Sequence, residues 1–332
     1  MSATIGKLVD RVYREYLEPN DDIQSFSILR GAMLSDATDT TVEYESDYLT
    51  SEEEDLLEPG AVVEVNRELM LVTALNTSAE QLTVKRAFRG TTLAAHSVDD
   101  VMRLNPVFPR NTVFDAVCDQ IKNLYPTLFA TETKSITSKV GYIPLSGAND
   151  NYLIAPIKAI SQYTDFSAGS DETGTIYAGV AVEIIDLPNP FTYTDADGVS
   201  QTITYSNNGP DKVNAVQIYN VNSGHTVFVT FKKKFIEPTA ESDTLASIGL
   251  ESEYEPIIMA GTAAQMIAGR DIPSATAENI TQSMQAQSFP VNSASTIRNS
   301  LLRYQQALIE QARKDLRARF PEPVTVNKIS YT

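Results

Sequence analysis

The chain contains no tryptophan, one cysteine (Cys118) and two histidines (His96 and His225) in 332 residues. A lone thiol cannot close an internal disulfide, and with so few imidazoles no cysteine- or histidine-rich metal cluster is expected. Cys118 falls on an apolar helical face, where a thiol packs as a small hydrophobe. No apolar run approaches the roughly 20 residues that span a bilayer, and no charged-then-apolar leader opens the chain, so neither membrane insertion nor export is expected. There is no phosphate loop, and neither Ser, Cys nor a metal-binding partner stands at a workable spacing from His96. The sequence therefore offers no enzyme site, no cofactor and no metal centre. His96 is expected to stabilise a turn by a hydrogen bond, and His225 to be structural at a strand start.

Cations are also scarce: 26 Lys and Arg stand against 43 Asp and Glu, a formal net charge of -17. Holding nucleic acid requires phosphate neutralisation by Lys and Arg, so this chain is expected to let DNA slide past. Many carboxylates lie between Ser35 and Glu58, where Thr50 or Ser51 can cap a turn rich in Glu52, Glu53, Glu54 and Asp55. A solvated acidic face explains that segment, and it has no calcium-loop spacing.

The longest helical pattern runs from Ser293 to Pro321. Ile297, Leu301, Tyr304, Leu308, Ala312, Leu316 and Phe320 form one stripe at three- and four-residue steps, over a rod of about 40 Å. Ser293 or Ser295 supplies the cap, and Pro321 and Pro323 end the helix. Its last turns carry Arg313, Lys314, Arg317 and Arg319. These can complement the helix dipole, with a Glu310–Lys314 pair, or form a basic patch for an acidic partner or neighbouring subunit; both can hold.

Residues 3–17 predict a helix with Ile5, Leu8, Val9, Val12, Tyr13 and Tyr16 on one face. Short strands follow at 62–65, 68–75, 81–86 and 100–104. A second helix carries Val113, Phe114, Val117, Ile121, Leu124, Tyr125 and Leu128, with Thr112 and Asp115 spaced as a capping box. Residues 134–236 predict an antiparallel sandwich, with strands at 180–184, 201–205, 215–219 and 226–231 and turns at 195–198 and 207–209. Tyr177, Tyr193 and Tyr205 suit cross-strand packing or a sugar groove, Asp195 and Asp197 suit a turn more simply than calcium, and Lys232 to Lys234 suit a solvated strand end or an acidic or DNA contact. Small residues Ala260, Gly261, Ala263 and Ala264 mark a helix at 257–267 that admits close approach by another helix, and a weakly amphipathic segment follows at 275–287. The last residues, with Val324, Val326, Ile329 and Tyr331, read as an extended tail that either frays or adds a strand to an edge on another protein.

Certain runs resemble a known family. Leu69-Met70-Leu71-Val72, Leu82 through Thr92 with its Arg86-Ala87-Phe88-Arg89-Gly90 centre, Ala94-Ala95-His96 and Val101-Met102-Arg103-Leu104 resemble a β module of tailed-bacteriophage virion proteins. Asn105-Pro106, Pro109-Arg110 and Leu124-Tyr125-Pro126 resemble the helix that follows this module in phage head-to-tail adaptors. The later order, ending in Leu302-Arg303-Tyr304 and Arg319-Phe320-Pro321, is again similar to that family. The resemblance covers most of the chain, most closely 62–130 and 255–321, and rests on the order of modules.

The expected fold class is therefore α+β and multidomain: a helical bundle with a small β-barrel-like module and an inserted antiparallel β-sandwich. Its expected parts are an N-terminal helix at 1–24, the β module with its acidic loop at 25–106, a helix at 107–133, the sandwich at 134–236, a helical domain at 237–320 and a tail at 321–332. The resemblance implies a structural virion protein of the neck, assembled in the host cytoplasm. It would form a homo-oligomeric ring, commonly of twelve copies, that binds the portal protein and neck or tail proteins while DNA passes through unbound. Arg313, Lys314, Arg317, Arg319, Val324, Val326, Ile329 and Tyr331 would serve portal and subunit interfaces, and Glu52, Glu53, Glu54 and Asp55 would line the lumen. The alternatives are a tail-tip or baseplate component and a carbohydrate-binding host-attachment module.

Overall fold

Short apolar-rich runs separated by polar turns form strands between residues 62 and 104. A computed structural model describes residues 3–17, 25–136, 141–144, 153–163, 176–178, 182–188, 191–194, 200–203, 212–218, 225–268, 294–320 and 327–329. The fold is α+β, with an antiparallel curled sheet and a few helices. Backbone proximity divides the chain into one unit of Met1–Gln120, Pro238–Thr244 and Glu255–Ala307, and another of Ile121–Glu237, Leu245–Tyr254 and Leu308–Thr332.

The first unit begins with α1 (Ile5–Val12), capped by Thr4, whose hydroxyl accepts from the Lys7 amide at 3.3 Å. The first two helical amides, otherwise without acceptors, donate to the Asp243 and Glu241 carbonyls at 2.9 Å each. The α1 stripe is buried as its spacing requires, and the helix continues as a π-helical turn, Tyr13–Leu17. Next come β1 (Phe26–Ile28), β2 (Thr41–Glu43) and α2 (Ser51–Glu54), then β3 (Val62–Val65), β4 (Glu68–Asn76), β5 (Gln81–Lys85) and β6 (Val101–Leu104). They form one sheet in the order β1-β6-β3-β4-β5-β2. Its outer strands meet: the Arg30 amide donates to the Glu43 carbonyl at 2.9 Å and the Glu45 amide to the Ile28 carbonyl at 3.0 Å. The sheet thereby encloses a core that includes Tyr44, Val63, Met70, Leu82 and Met102.

The β3–β4 turn is Asn66-Arg67, with Asn66 in the left-handed region (φ 55°), which asparagine tolerates. Arg67 lays its guanidinium 3.6 Å from the Phe114 ring centre and donates to Asn111 Oδ1 at 3.1 Å. These residues belong to α3 (Arg110–Leu124), so the hairpin tip is fastened to the helix by a cation–π contact. The helix starts two residues before the expected Thr112 cap. Glu64 in β3 accepts from the Arg110 amide at 2.5 Å, so the cap comes from another strand, and Asp115 instead accepts from Asn111 at 3.1 Å.

The small-residue helix α4 (Glu255–Ile267) is buried along nearly its whole length. At Gly261 the side chains of Gln120 and Gln305 meet, with Gln305 Nε2 donating to Gln120 Oε1 at 2.9 Å and to the Ile257 carbonyl at 3.2 Å. The long helix α5 (Ala294–Arg319) buries Ile297, Leu301, Ala312 and Leu316 from the expected stripe. The cap expected at Ser293, the stops expected at Pro321 and Pro323 and the segment expected at 275–287 lie outside the described residues.

In the second unit, β7 (Ala130–Ile136), β8 (Gly141–Pro144), β9 (Leu153–Tyr163), β10 (Ile176–Ala178), β11 (Val182–Pro188), β12 (Phe191–Thr194), β13 (Ser200–Ile203), β14 (Lys212–Ile218), β15 (His225–Lys233) and β16 (Asn327–Ile329) are formed. Their sheets have the orders β10-β9-β15-β7, β16-β11-β14-β8 and β12-β13. Along β15, Val227, Val229 and Phe231 are fully buried and alternate with half-buried Phe228 and Thr230, the period-two burial of a strand with one covered face. The turns expected at 195–198 and 207–209, with Asp195 and Asp197, lie outside the described residues.

A Cβ built on Gly261 would stand 2.1 Å from Gln120 Oε1 and 2.2 Å from Gln305 Nε2. In Gly261→Ala the amide ends can swing aside, and helix propensity returns about 1 kcal/mol against the two hydrogen bonds of Gln305 at about 1 kcal/mol each, so a loss of about 1 kcal/mol is expected. Gly261→Val adds bulk that cannot be relieved this way and should cost about 1–3 kcal/mol, read as a lowered denaturant midpoint.

Candidate functional site

The residues singled out by sequence around Arg86 and His96 converge on a carboxylate that sequence reasoning passed over, Glu68. It is the first residue of β4 and is fully buried, as is His96, while the Arg86 side chain is 2% exposed. Arg86 grips both carboxylate oxygens, Nε to Oε1 at 2.7 Å and Nη2 to Oε2 at 2.8 Å. The Ala87 and Ala94 amides donate at 3.0 Å each, and His96 Nε2 lies 2.9 Å from Oε2. Burial pushes the Glu68 pKa up; Arg86, His96 and the two amides outweigh it and hold the carboxyl well below the usual range.

The remaining Arg86 donors reach backbone carbonyls, Nη1 to Leu34 and Asp39 at 3.1 Å each and Nη2 to Ala94. His96 also pairs its backbone with Met33, with bonds of 2.9 Å in both directions. An ionised Glu68 can only accept, so the proton on this side of the ring sits on Nε2. Ala87 (φ 51°), Arg89 (φ 52°) and Gly90 (φ 79°) turn the chain through the left-handed region between these partners. The cluster ties the 33–39, 86–87 and 94–96 stretches to one carboxylate on β4.

A cleft of about 310 Å³ in the first unit is lined by Glu64, Asn66, Val101, Arg103, Arg110 and Glu241. Its Arg110 is matched by carboxylates. Arg110 Nη2 pairs with Glu241 at 2.7 Å and Nη1 with Asp10 at 2.8 Å. Burial disfavours the Arg110 charge, but Glu241 and then Asp10 overcome it and raise its pKa above the ordinary guanidinium range. Arg103 stacks 4.8 Å from the Tyr13 ring centre.

The basic end of α5 divides into two sets. Arg319 is engaged, bonding Glu251 at 2.7 Å and Glu253 at 2.8 Å, and Arg313 stands 3.7 Å from Glu310. Lys314 and Arg317 are exposed and make no ion pair among the described residues, so the expected Glu310–Lys314 pair is replaced by Glu310–Arg313. Burial, with Glu251 and Glu253 nearby, pushes the Tyr254 phenol up to about 12.

In the acidic segment Thr50 caps α2 with a full capping box, its hydroxyl accepting from the Glu53 amide at 3.3 Å while Glu53 accepts from the Thr50 amide at 2.8 Å. Glu52 and Asp55 are exposed; Glu53 and Glu54 are half-buried. Hydrogen bonds from Ser25 and then Thr50 hold the Glu53 carboxyl below the usual range.

The lysine run is used inside its own unit. Lys233 pairs with Glu132 at 2.8 Å, Lys232 lies 4.6 Å from the Phe129 ring centre and Lys234 5.3 Å from that of Tyr125. Tyr177 falls on β10 and Tyr193 on β12, while Tyr205 lies outside the described residues. Ile329 falls in β16, which pairs within this chain; Val324, Val326 and Tyr331 lie outside the described residues. Among the described residues no group of His, Cys, Asp and Glu could hold a metal ion, and no helix is long and apolar enough to cross a membrane. Comparison with protein-family models, curated proteins and solved structures finds no match.

Removing one partner of a buried ion pair costs about 3–5 kcal/mol, so Arg86→Met should fall in that range, measured by denaturant unfolding, whereas Arg319→Ala at an exposed site should cost about 1 kcal/mol or less. Because the folded Glu68 pKa is depressed, its contribution is complete above the ordinary glutamate range and is lost as pH falls toward the folded value. Wild-type stability should therefore fall on acidification below about pH 4 more steeply than that of Glu68→Gln, which lacks the titrating group.

Proposed function

We propose that this chain is a structural virion protein, a head-to-tail adaptor that forms a ring below the portal and joins capsid to tail around the DNA channel. The observation that carries the reading is the order of modules. A curled β module leads into α3, a long β-rich segment follows, and then come the small-residue helix α4 and the cationic helix α5. The residues that resemble the adaptor family lie in these same elements, from Leu69 through Arg110 and from α4 to Arg319.

In this reading the helices form a bundle, the curled sheet is a small β-barrel-like module, and the sheets of the second unit form a sandwich inserted between α3 and α4. The mechanism is assembly without turnover. Exposed Lys314 and Arg317, cations in a strongly acidic chain, support a contact with an acidic neighbour, either another copy or the portal. Exposed Glu52 and Asp55 suit a channel wall that repels phosphate; a reconstruction of the ring with α2 on its outer surface would end that placement. Assembly would take place in the host cytoplasm and leave the protein in the virion neck, contacting portal and tail proteins.

Mass photometry of the chain, alone and mixed with portal protein, tests the proposal. A ring-sized species in the presence of portal is expected. It should be lost in a double charge reversal, Lys314→Glu with Arg317→Glu, while the unfolding free energy changes by less than about 1 kcal/mol, because both side chains are exposed. A chain that stays monomeric and ignores the portal contradicts the reading.

A further inference from the structure

One strand pair in the second unit differs from the rest. β16 runs parallel to β11, with Asn327 opposite Glu183, Lys328 opposite Ile184 and Ile329 opposite Ile185. Every other ladder between the described strands is antiparallel. β16 is also the outermost strand of its sheet, so β11 meets antiparallel β14 on one side and these three residues on the other. The β11–β14 ladder runs over all seven residues from Val182 to Pro188, whereas β16 covers only Glu183 to Ile185.

A three-residue parallel ladder is a weak fastening, because parallel pairing is slightly less stable per residue than antiparallel and few bonds are made. It is formed by backbone groups, so the β11 edge takes a 327–329 segment in the same way whether that segment belongs to its own chain or to another. The pairs made are identical in the two cases, and their energy cancels between them. What decides is connectivity, which favours the chain's own segment in dilute solution, against the additional contacts that copies gain when they assemble.

We propose that the β11 edge is a docking site for the 327–329 segment of a second copy, so that neighbouring copies in the assembly are joined by exchanged terminal strands. The proposal rests on the reading that the chain assembles with itself. Strand addition to a sheet edge is a recurring recognition mode, and exchange of an identical element is a low-cost route to oligomers. Tail and edge are different surfaces, so the contact is head-to-tail, the kind that closes into a ring when the rotation between copies allows.

Engineered disulfides distinguish exchange from self-pairing. Adjacent strands lie roughly 4.8 Å apart, within the Cα separation a disulfide accepts, and the native Cys118 is buried and only 7% exposed. Full-length Ile184→Cys and Lys328→Cys chains carrying tags of different mass are co-expressed, assembled and oxidised. A covalent pair containing one of each tag is expected. The proposal is overturned if no such pair forms while the double variant, Ile184→Cys with Lys328→Cys, closes within one chain, and equally if neither disulfide forms. Mass photometry of the unmodified chain separates the two readings: rings without the mixed disulfide leave assembly standing and end the exchange, whereas absence of rings ends both.

Discussion

The curled sheet depends on a buried carboxylate. Desolvating Glu68 is unfavourable by several kcal/mol for an isolated ion, and the fold offsets this with a bidentate guanidinium, two backbone amides and an imidazole. The partners come from the end of β5, the 87–96 loop and, through Arg86, the carbonyls of Leu34 and Asp39. Long loops that would otherwise lack a packing reason to adopt one path are held by a single charge. Left-handed Ala87 is held in the same way, its amide bonded to Glu68 at 3.0 Å.

A second polar centre fixes where helices begin. Glu64 caps α3 at the Arg110 amide, Arg110 reaches Glu241 and Asp10, and the segment carrying Glu241 supplies carbonyls to the start of α1. Strand, helix starts and a returning loop are thus connected by a few charge-assisted bonds. Behind them, the Gln120–Gln305 contact over Gly261 uses the lack of a side chain at that position to bring three helices together in the first unit.

Legibility followed the distance over which the determining interaction acts. β3 to β6 were readable because short apolar-rich runs between polar turns are local, α1 and α5 because their stripes span several turns, and α4 because its small residues are consecutive. β1 and β2, three residues each, are too short to show a period. β9 contains Pro156, which reads as a strand breaker, and β7 is polar apart from its ends, so neither announced itself. The start of α3 was misplaced because its cap, Glu64, lies 46 residues upstream. Glu68 stayed invisible for the same reason: its partners stand 18 and 28 residues away, and a glutamate opening a strand looks solvated until the fold encloses it. His96 shows from sequence that it hydrogen-bonds, but its partner, Glu68, is 28 residues away. The parallel register of β16 has no local signature at all.

The charge pattern joins this architecture to the proposed role. A chain of net charge -17 pairs Arg86, Arg110, Lys233 and Arg319 internally, on Glu68, Glu241, Glu132 and the Glu251–Glu253 pair, while Lys314 and Arg317 are among the exposed cations that make no ion pair among the described residues. The central claim remains that an ionised Glu68 organises the β module. Carboxyl carbon NMR of selectively labelled Glu68, followed as the folded protein is acidified, tests it most directly. The account predicts that the signal stays that of a carboxylate through the ordinary glutamate midpoint near about pH 4.3. A normal titration there, with the fold intact, would contradict it.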